Sequence, residues 1–93
     1  MIQSFGDKET EKIWQRQPSR KLPVAIQDKA LRRLRELAAA TTLEVLRFPP
    51  SNHLHPLLGT RKGEHAIRIN LQWRITFTWG VQGPEQVRIE DYH

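Results

Sequence analysis

Five residues of this chain could move a proton or hold a phosphate within one small site: His55, Arg74, Asp91, Tyr92 and His93. Histidine titrates near neutral pH and can act as general acid or base. Arginine's planar fork matches the oxygens of a phosphate. Together these types suit phosphoryl chemistry without a metal: one group takes a proton, another returns one, and cations hold the charge that develops between. Tyr92, with an ordinary pKa of about 10, ranks behind the histidines as a base at neutral pH. Each residue also has a plainer reading. His55 could be a surface imidazole, Arg74 a surface strand residue and Tyr92 an edge aromatic. Asp91 shares the parity of Val87 and Ile89 and could simply anchor the terminus.

Metal chemistry has weaker support. His53-x-His55 would place two imidazoles on one side of an extended segment, with His93 or Asp91 to complete a set. That spacing is common, and the expectation is no metal and no small-molecule cofactor. The chain has no Gly-rich phosphate loop and no serine in a nucleophile-elbow setting.

The elements that would position these residues follow from periodicity. From Gln72 to Trp79, Trp73, Ile75, Phe77 and Trp79 alternate with Gln72, Arg74, Thr76 and Thr78, the pattern of a strand with one face in a core. Glu64 to Ile69 reads as its antiparallel neighbour through a tight turn at Asn70-Leu71. Gly80 to Pro84 turns the chain into a last strand carrying Val87 and Ile89 inward and ending on Asp91-Tyr92-His93, an ending expected to be ordered. On the uncovered face this places Arg68, Arg74, Thr76, Arg88 and Tyr92, with His55 on a neighbouring segment.

Upstream, Asp7 can cap a short helix with Ile13 and Trp14 inward, closed by Gln17-Pro18-Ser19. Ile26, Ala30, Leu31, Leu34, Leu37 and Ala38 share one arc of a second helix that starts near Pro23. Met1 to Phe5 reads as a first strand and Leu43 to Leu46 as a further turn. The expected fold is a single α+β domain over 1–93. An N-terminal strand and two helices pack on one face of an antiparallel sheet of about four to five strands.

Charge narrows the partners. The chain holds 15 Lys and Arg against 10 Asp and Glu. Eight of the basic residues, with a single acid, fall between Lys12 and Arg35. Such a patch favours nucleic acid or an acidic protein over a neutral ligand, and equally describes a solvated helix face. Lys29, Arg32 and Arg33 on the helix, and Arg61, Lys62, Arg68 and Arg88 around the sheet, are the expected contacts to nucleic acid or phosphate. There is no cysteine, so thiolate chemistry and disulfides are excluded. No apolar signal-peptide core or spanning run is present, and a cytoplasmic location is expected.

Several of these residues together resemble one family. The pieces are Met1-Ile2-Gln3-Ser4-Phe5, Leu54-His55-Pro56-Leu57 with Gly59 and Arg61-x-Gly63, Ile67-x-Ile69-Asn70-x-x-Trp73-Arg74-Ile75-x-Phe77, and Glu90-Asp91-Tyr92-His93. In register along almost the whole chain, with a divergent middle, they resemble the HigB toxins, or plasmid maintenance system killer proteins, of the RelE/ParE superfamily. The resemblance implies a ribosome-dependent mRNA endonuclease, restrained by a HigA-type helix-turn-helix antitoxin. It implies that His55, Asp91, Tyr92 and His93 are catalytic, with Arg74 beside them. Some relatives carry lysine where this chain has Leu58, and Arg61 or Lys62 could replace that cation. The alternatives are a ParE-like toxin that inhibits a topoisomerase, and a basic module that binds nucleic acid or protein without catalysis.

Overall fold

A computed structural model describes residues 1–91; Tyr92 and His93 lie outside the described residues. Two helices, α1 (Lys8–Trp14) and α2 (Val24–Ala39), precede four strands: β1 (His55–Pro56), β2 (Glu64–Arg68), β3 (Trp73–Gly80) and β4 (Gly83–Asp91). The strands form one sheet in the order β1-β2-β3-β4, and each pair is antiparallel. Short 3-10 turns at Leu43–Arg47, Pro50–Asn52 and Gly59–Arg61 join the layers.

Both helices pack on one face of the sheet. Ile13 of α1 and Ile26, Ala30, Leu34 and Leu37 of α2 share a core with Ile67, Ile75, Phe77, Val87 and Ile89. Trp73 and Trp79 pack half-buried at its margins, so the alternation in β3 marks core residues rather than a stacking platform. Asp7 caps α1, its carboxylate accepting from the Thr10 amide at 2.7 Å. The helix closes earlier than the proline alone would dictate. Arg16 turns left-handed (φ 60°), while Gln17 N donates to Lys12 O and Arg16 N to Ile13 O, which satisfies the last-turn carbonyls.

The N-terminus corrects one expectation. Residues 1–6 make only a single parallel bridge, Phe5 to Val87, and not a full strand. They still run along the outer side of β4, where Gln3 N and Gly6 N donate to Pro84 O and Val87 O. This segment covers what would be an exposed sheet edge. Pro84, expected in a turn, is a strand residue opposite Trp79.

The register of β4 depends on an irregularity. Thr76 pairs with Arg88 but Thr78 pairs with Glu85, so Gln86 and Val87 together oppose Phe77. Gln86 is left-handed (φ 53°) and its amide donates to Ser4 Oγ at 2.9 Å. This bulge changes the parity of the strand, which puts both Pro84 and Val87 on the core side.

At the β2–β3 connection, Asn70 Oδ1 accepts from the Gln72 and Trp73 amides at 2.8 and 2.7 Å. Gln72 is thereby held in the turn, and β3 begins at Trp73. No helix among the described residues is long and apolar enough to cross a membrane.

Candidate active site

The face of the sheet away from the helices collects most of the residues singled out above. Directly paired residues share a face in an antiparallel sheet. One row across the four strands is therefore His55, Ala66, Thr76 and Arg88, and the next is Arg68, Arg74 and Glu90. His55 is half-buried, and its Nδ1 lies 2.7 Å from the carbonyl oxygen of His53, which leaves Nε2 as the ring nitrogen for other chemistry. Arg68 and Arg74 are half-buried and Arg88 is exposed. Arg88 folds across Gly6, where a Cβ would sit 2.1 Å from its Nε. The absence of a side chain at Gly6 thus lets the N-terminal segment and Arg88 pack together.

Asp91 pairs with Trp73, and its carboxylate accepts weakly from Gln72 Nε2 at 3.4 Å. Its parity is that of Ile89, as the sequence pattern implies. Tyr92 and His93, the other two C-terminal candidates, fall outside the described residues.

Thr76 corrects the sequence reading. It was expected on an open face but is fully buried. What covers it is Arg61. The Arg61 side chain leaves the 59–61 turn and lies between Glu64 and Glu90. It donates from Nε and Nη2 to Glu64 at 3.0 and 2.8 Å, and from Nη1 and Nη2 to Glu90 at 2.8 and 2.6 Å. The Thr76 hydroxyl donates to Glu90, and Arg61 Nη2 lies 3.4 Å from the same hydroxyl. Hydrogen bonds from Arg61 hold the carboxyls of Glu64 and Glu90 below the usual carboxylate range, against the opposing effect of burial. The same two carboxylates raise the pKa of Arg61, so it stays charged throughout.

Glu64 and Glu90 are residues the sequence argument passed over. The signal was present in the Arg61-x-x-Glu64 spacing and in the shared parity of Glu90 with Arg88.

The other basic candidates are dispersed. Lys62 is exposed at the turn after Arg61. Lys29 and Arg32 are exposed on α2, on the far side of the sheet from His55. Arg33 is mostly covered; it pairs with Glu36 at 3.1 Å, and its Nε approaches Arg68 O at 3.4 Å. Leu58 is 82% exposed.

His53 has a left-handed backbone (φ 48°), so His53-x-His55 is not the extended pair assumed for a shared metal. The described residues contain no group of three or more histidines and carboxylates able to hold an ion. His65, on the core side, stacks on Phe77 with ring centres 6.3 Å apart.

Two helices lie on one face of a four-stranded antiparallel sheet, with arginines and a histidine on the other, a RelE-like α+β fold. The fold matches that of YafQ from E. coli strain BL21(DE3), with a TM-score of 0.64 at 21% identity, covering 98% of this chain and 91% of that one. A YafQ mutant from E. coli matches equally well, also at TM-score 0.64 and with the same coverage, at 17% identity. Residues 3–93 match the family described as the RelE-like toxin of type II toxin-antitoxin system HigB, and the chain belongs to that family. It is 36% identical over 80 residues to Toxin HigB-1 of Vibrio cholerae, covering 85% of this chain and 84% of the relative. It is 32% identical over 94 residues to Endoribonuclease HigB of Proteus vulgaris, over the full length of both. Membership in a type II toxin-antitoxin family implies an antitoxin as its partner.

Proposed function

We propose that this toxin is a ribosome-dependent endoribonuclease that cuts mRNA through its 2′-hydroxyl and so inhibits translation. The observation that carries the reading is the arrangement of His55 on one row of the sheet face with Arg68 and Arg74 on the next, at the end of β4 that leads to Asp91-Tyr92-His93. Full-length similarity to the Proteus vulgaris Endoribonuclease HigB supports the endoribonuclease activity.

In this mechanism a base takes the proton of the RNA 2′-hydroxyl, whose oxygen attacks the adjacent phosphorus. The P–O5′ bond breaks and an acid protonates the departing 5′-oxygen. The products are a 2′,3′-cyclic phosphate and a 5′-hydroxyl. His55 and His93 share the proton transfers. Arg74 holds the phosphate as charge grows on its oxygens, assisted by Arg68 and Arg88. Tyr92 positions the substrate or relays a proton, and Asp91 orients a histidine or contacts substrate. No metal or cofactor takes part. The requirement for a 2′-hydroxyl restricts cleavage to RNA.

Lys29 and Arg32 on the helix layer, and Lys62 by the turn, contact ribosomal RNA rather than the scissile phosphate, whereas Arg33 is held by Glu36. A HigA-type helix-turn-helix antitoxin is the partner that restrains the toxin, and the complex resides in the cytoplasm.

The test is cleavage of a defined message on programmed ribosomes by purified protein. Wild type yields cut message with cyclic-phosphate ends and His55→Ala yields little or none. Equal cutting by His55→Ala, or no cutting by wild type, would remove the reading.

A further inference from the structure

We infer that Arg61 is a positioning residue of the cleavage site and not one of its phosphate ligands: it clamps Glu90, at the end of β4, to Glu64, at the start of β2. This rests on the reading of the sheet face as the RNA-cleaving site.

A guanidinium offers two edges that can grip an oxyanion at two points: the side edge, Nε with Nη2, and the end edge, Nη1 with Nη2. In Arg61 both are occupied. Glu64 takes the side edge at 3.0 and 2.8 Å, and Glu90 takes the end edge at 2.8 and 2.6 Å. The Arg61 side chain is 30% exposed, and those of Glu64 and Glu90 are each 25% exposed, so the cluster is partly shielded from bulk water. Two carboxylates surround one cation. A phosphate displacing either of them would leave that carboxylate half-buried and facing another anion. The fully buried Thr76 beneath, bonded to Glu90, supports the carboxylate from the third side.

The placement of the clamp gives it a task. Glu90 immediately precedes Asp91, the last described residue of β4, so fixing its side chain fixes the end of that strand. Arg61 lies in the turn that follows β1, which carries His55. One guanidinium thus ties the segment that follows His55 to the strand that carries Asp91, 36 positions from His55 in sequence. Proton transfer and in-line attack tolerate little misplacement, so loosening this tie should slow the chemical step more than binding.

The experiment is single-turnover cleavage on programmed ribosomes across a range of toxin concentrations. It compares wild type, Arg61→Ala, Arg61→Lys and the exchanged pair Arg61→Glu/Glu90→Arg, with melting curves for each and His55→Ala as the inactive control. The clamp predicts that Arg61→Ala lowers the maximal rate by at least about tenfold and leaves the half-saturating concentration unchanged. Arg61→Lys should be nearly as slow, since an ammonium cannot span both carboxylates in two-point contact. The exchanged pair should recover part of the rate lost in Arg61→Ala.

A full maximal rate with a raised half-saturating concentration in Arg61→Ala would overturn the clamp in favour of a phosphate grip. So would wild-type cleavage by Arg61→Lys, a result that stays decisive even if the exchanged pair fails to fold. An active wild type with a fully active Arg61→Ala overturns this inference alone. A wild type with no His55-dependent cleavage overturns the cleavage reading and this inference with it.

Discussion

The Thr10 hydroxyl accepts the Ile89 amide at 2.8 Å, joining the first helix to the last strand across 79 positions of sequence. Thr10 is buried, and Ile89 lies two residues before Asp91. Among the described residues β4 has no further strand on that side, so the Ile89 amide depends on this side chain. Thr10→Val keeps the shape and removes the acceptor. It should cost about 1–3 kcal/mol, the penalty of a buried amide left without a partner. Chemical denaturation would measure this, with a lower midpoint and an unchanged slope. A midpoint within error of wild type would show that the amide finds another acceptor.

The carboxyls of Glu64 and Glu90 set an acid limit on stability. Both are held below their ordinary value by Arg61. A carboxyl depressed in the folded state contributes stability that is complete above its unfolded pKa, about 4.3 for glutamate, and is lost as pH falls through the folded value. Wild type should therefore lose stability steeply below about pH 4.3, and Arg61→Ala less steeply over the same range. Unfolding midpoints between pH 6 and pH 3 would show the difference. Parallel pH profiles for the two proteins would contradict it.

Leu58 is an exposed apolar residue next to the turn that carries Arg61. Leu58→Lys adds a cation at the N-terminal side of the 59–61 turn. Each added phosphate contact raises the salt dependence of binding by about one unit of log–log slope. The variant should bind a non-cleavable RNA more tightly at low salt, with a steeper salt response. An unchanged slope would mean that position 58 lies outside the path of the RNA.

The two layers should separate binding from chemistry. Lys29 and Arg32 are exposed on the helix layer, across the sheet from His55 and Arg74. Replacing both with alanine should weaken ribosome association and flatten its salt dependence, while the maximal single-turnover rate stays at the wild-type value. Arg74→Ala should act in the opposite sense, mainly on the maximal rate. A fall in maximal rate from the helix variant would show that the helix layer reaches the reacting phosphate.

Periodicity revealed more of the fold than of the site. The strict alternation of Trp73, Ile75, Phe77 and Trp79 located the central strand and its core face, and the apolar arc from Ile26 to Leu37 located the long helix. Gln86 carried no such signal: a left-handed residue that shifts register reads as an ordinary polar strand position. The N-terminal residues were mistaken for a full strand because backbone pairing to β4 needs no particular side-chain pattern. Thr76 misled for a related reason. Its parity named the right face, but only the tertiary approach of Arg61 buries it. Arg61 itself was read by its charge as a phosphate ligand, whereas its two carboxylate partners lie 3 and 29 positions away and become neighbours only when the sheet forms.

The measurement that bears most directly on the central claim is mapping of mRNA 5′ ends in cells after brief induction of the toxin, with wild type beside His55→Ala. The account predicts new ends inside translated reading frames for wild type, and none for the variant at equal protein level. Growth arrest without new ends, or the same ends from both proteins, would contradict it.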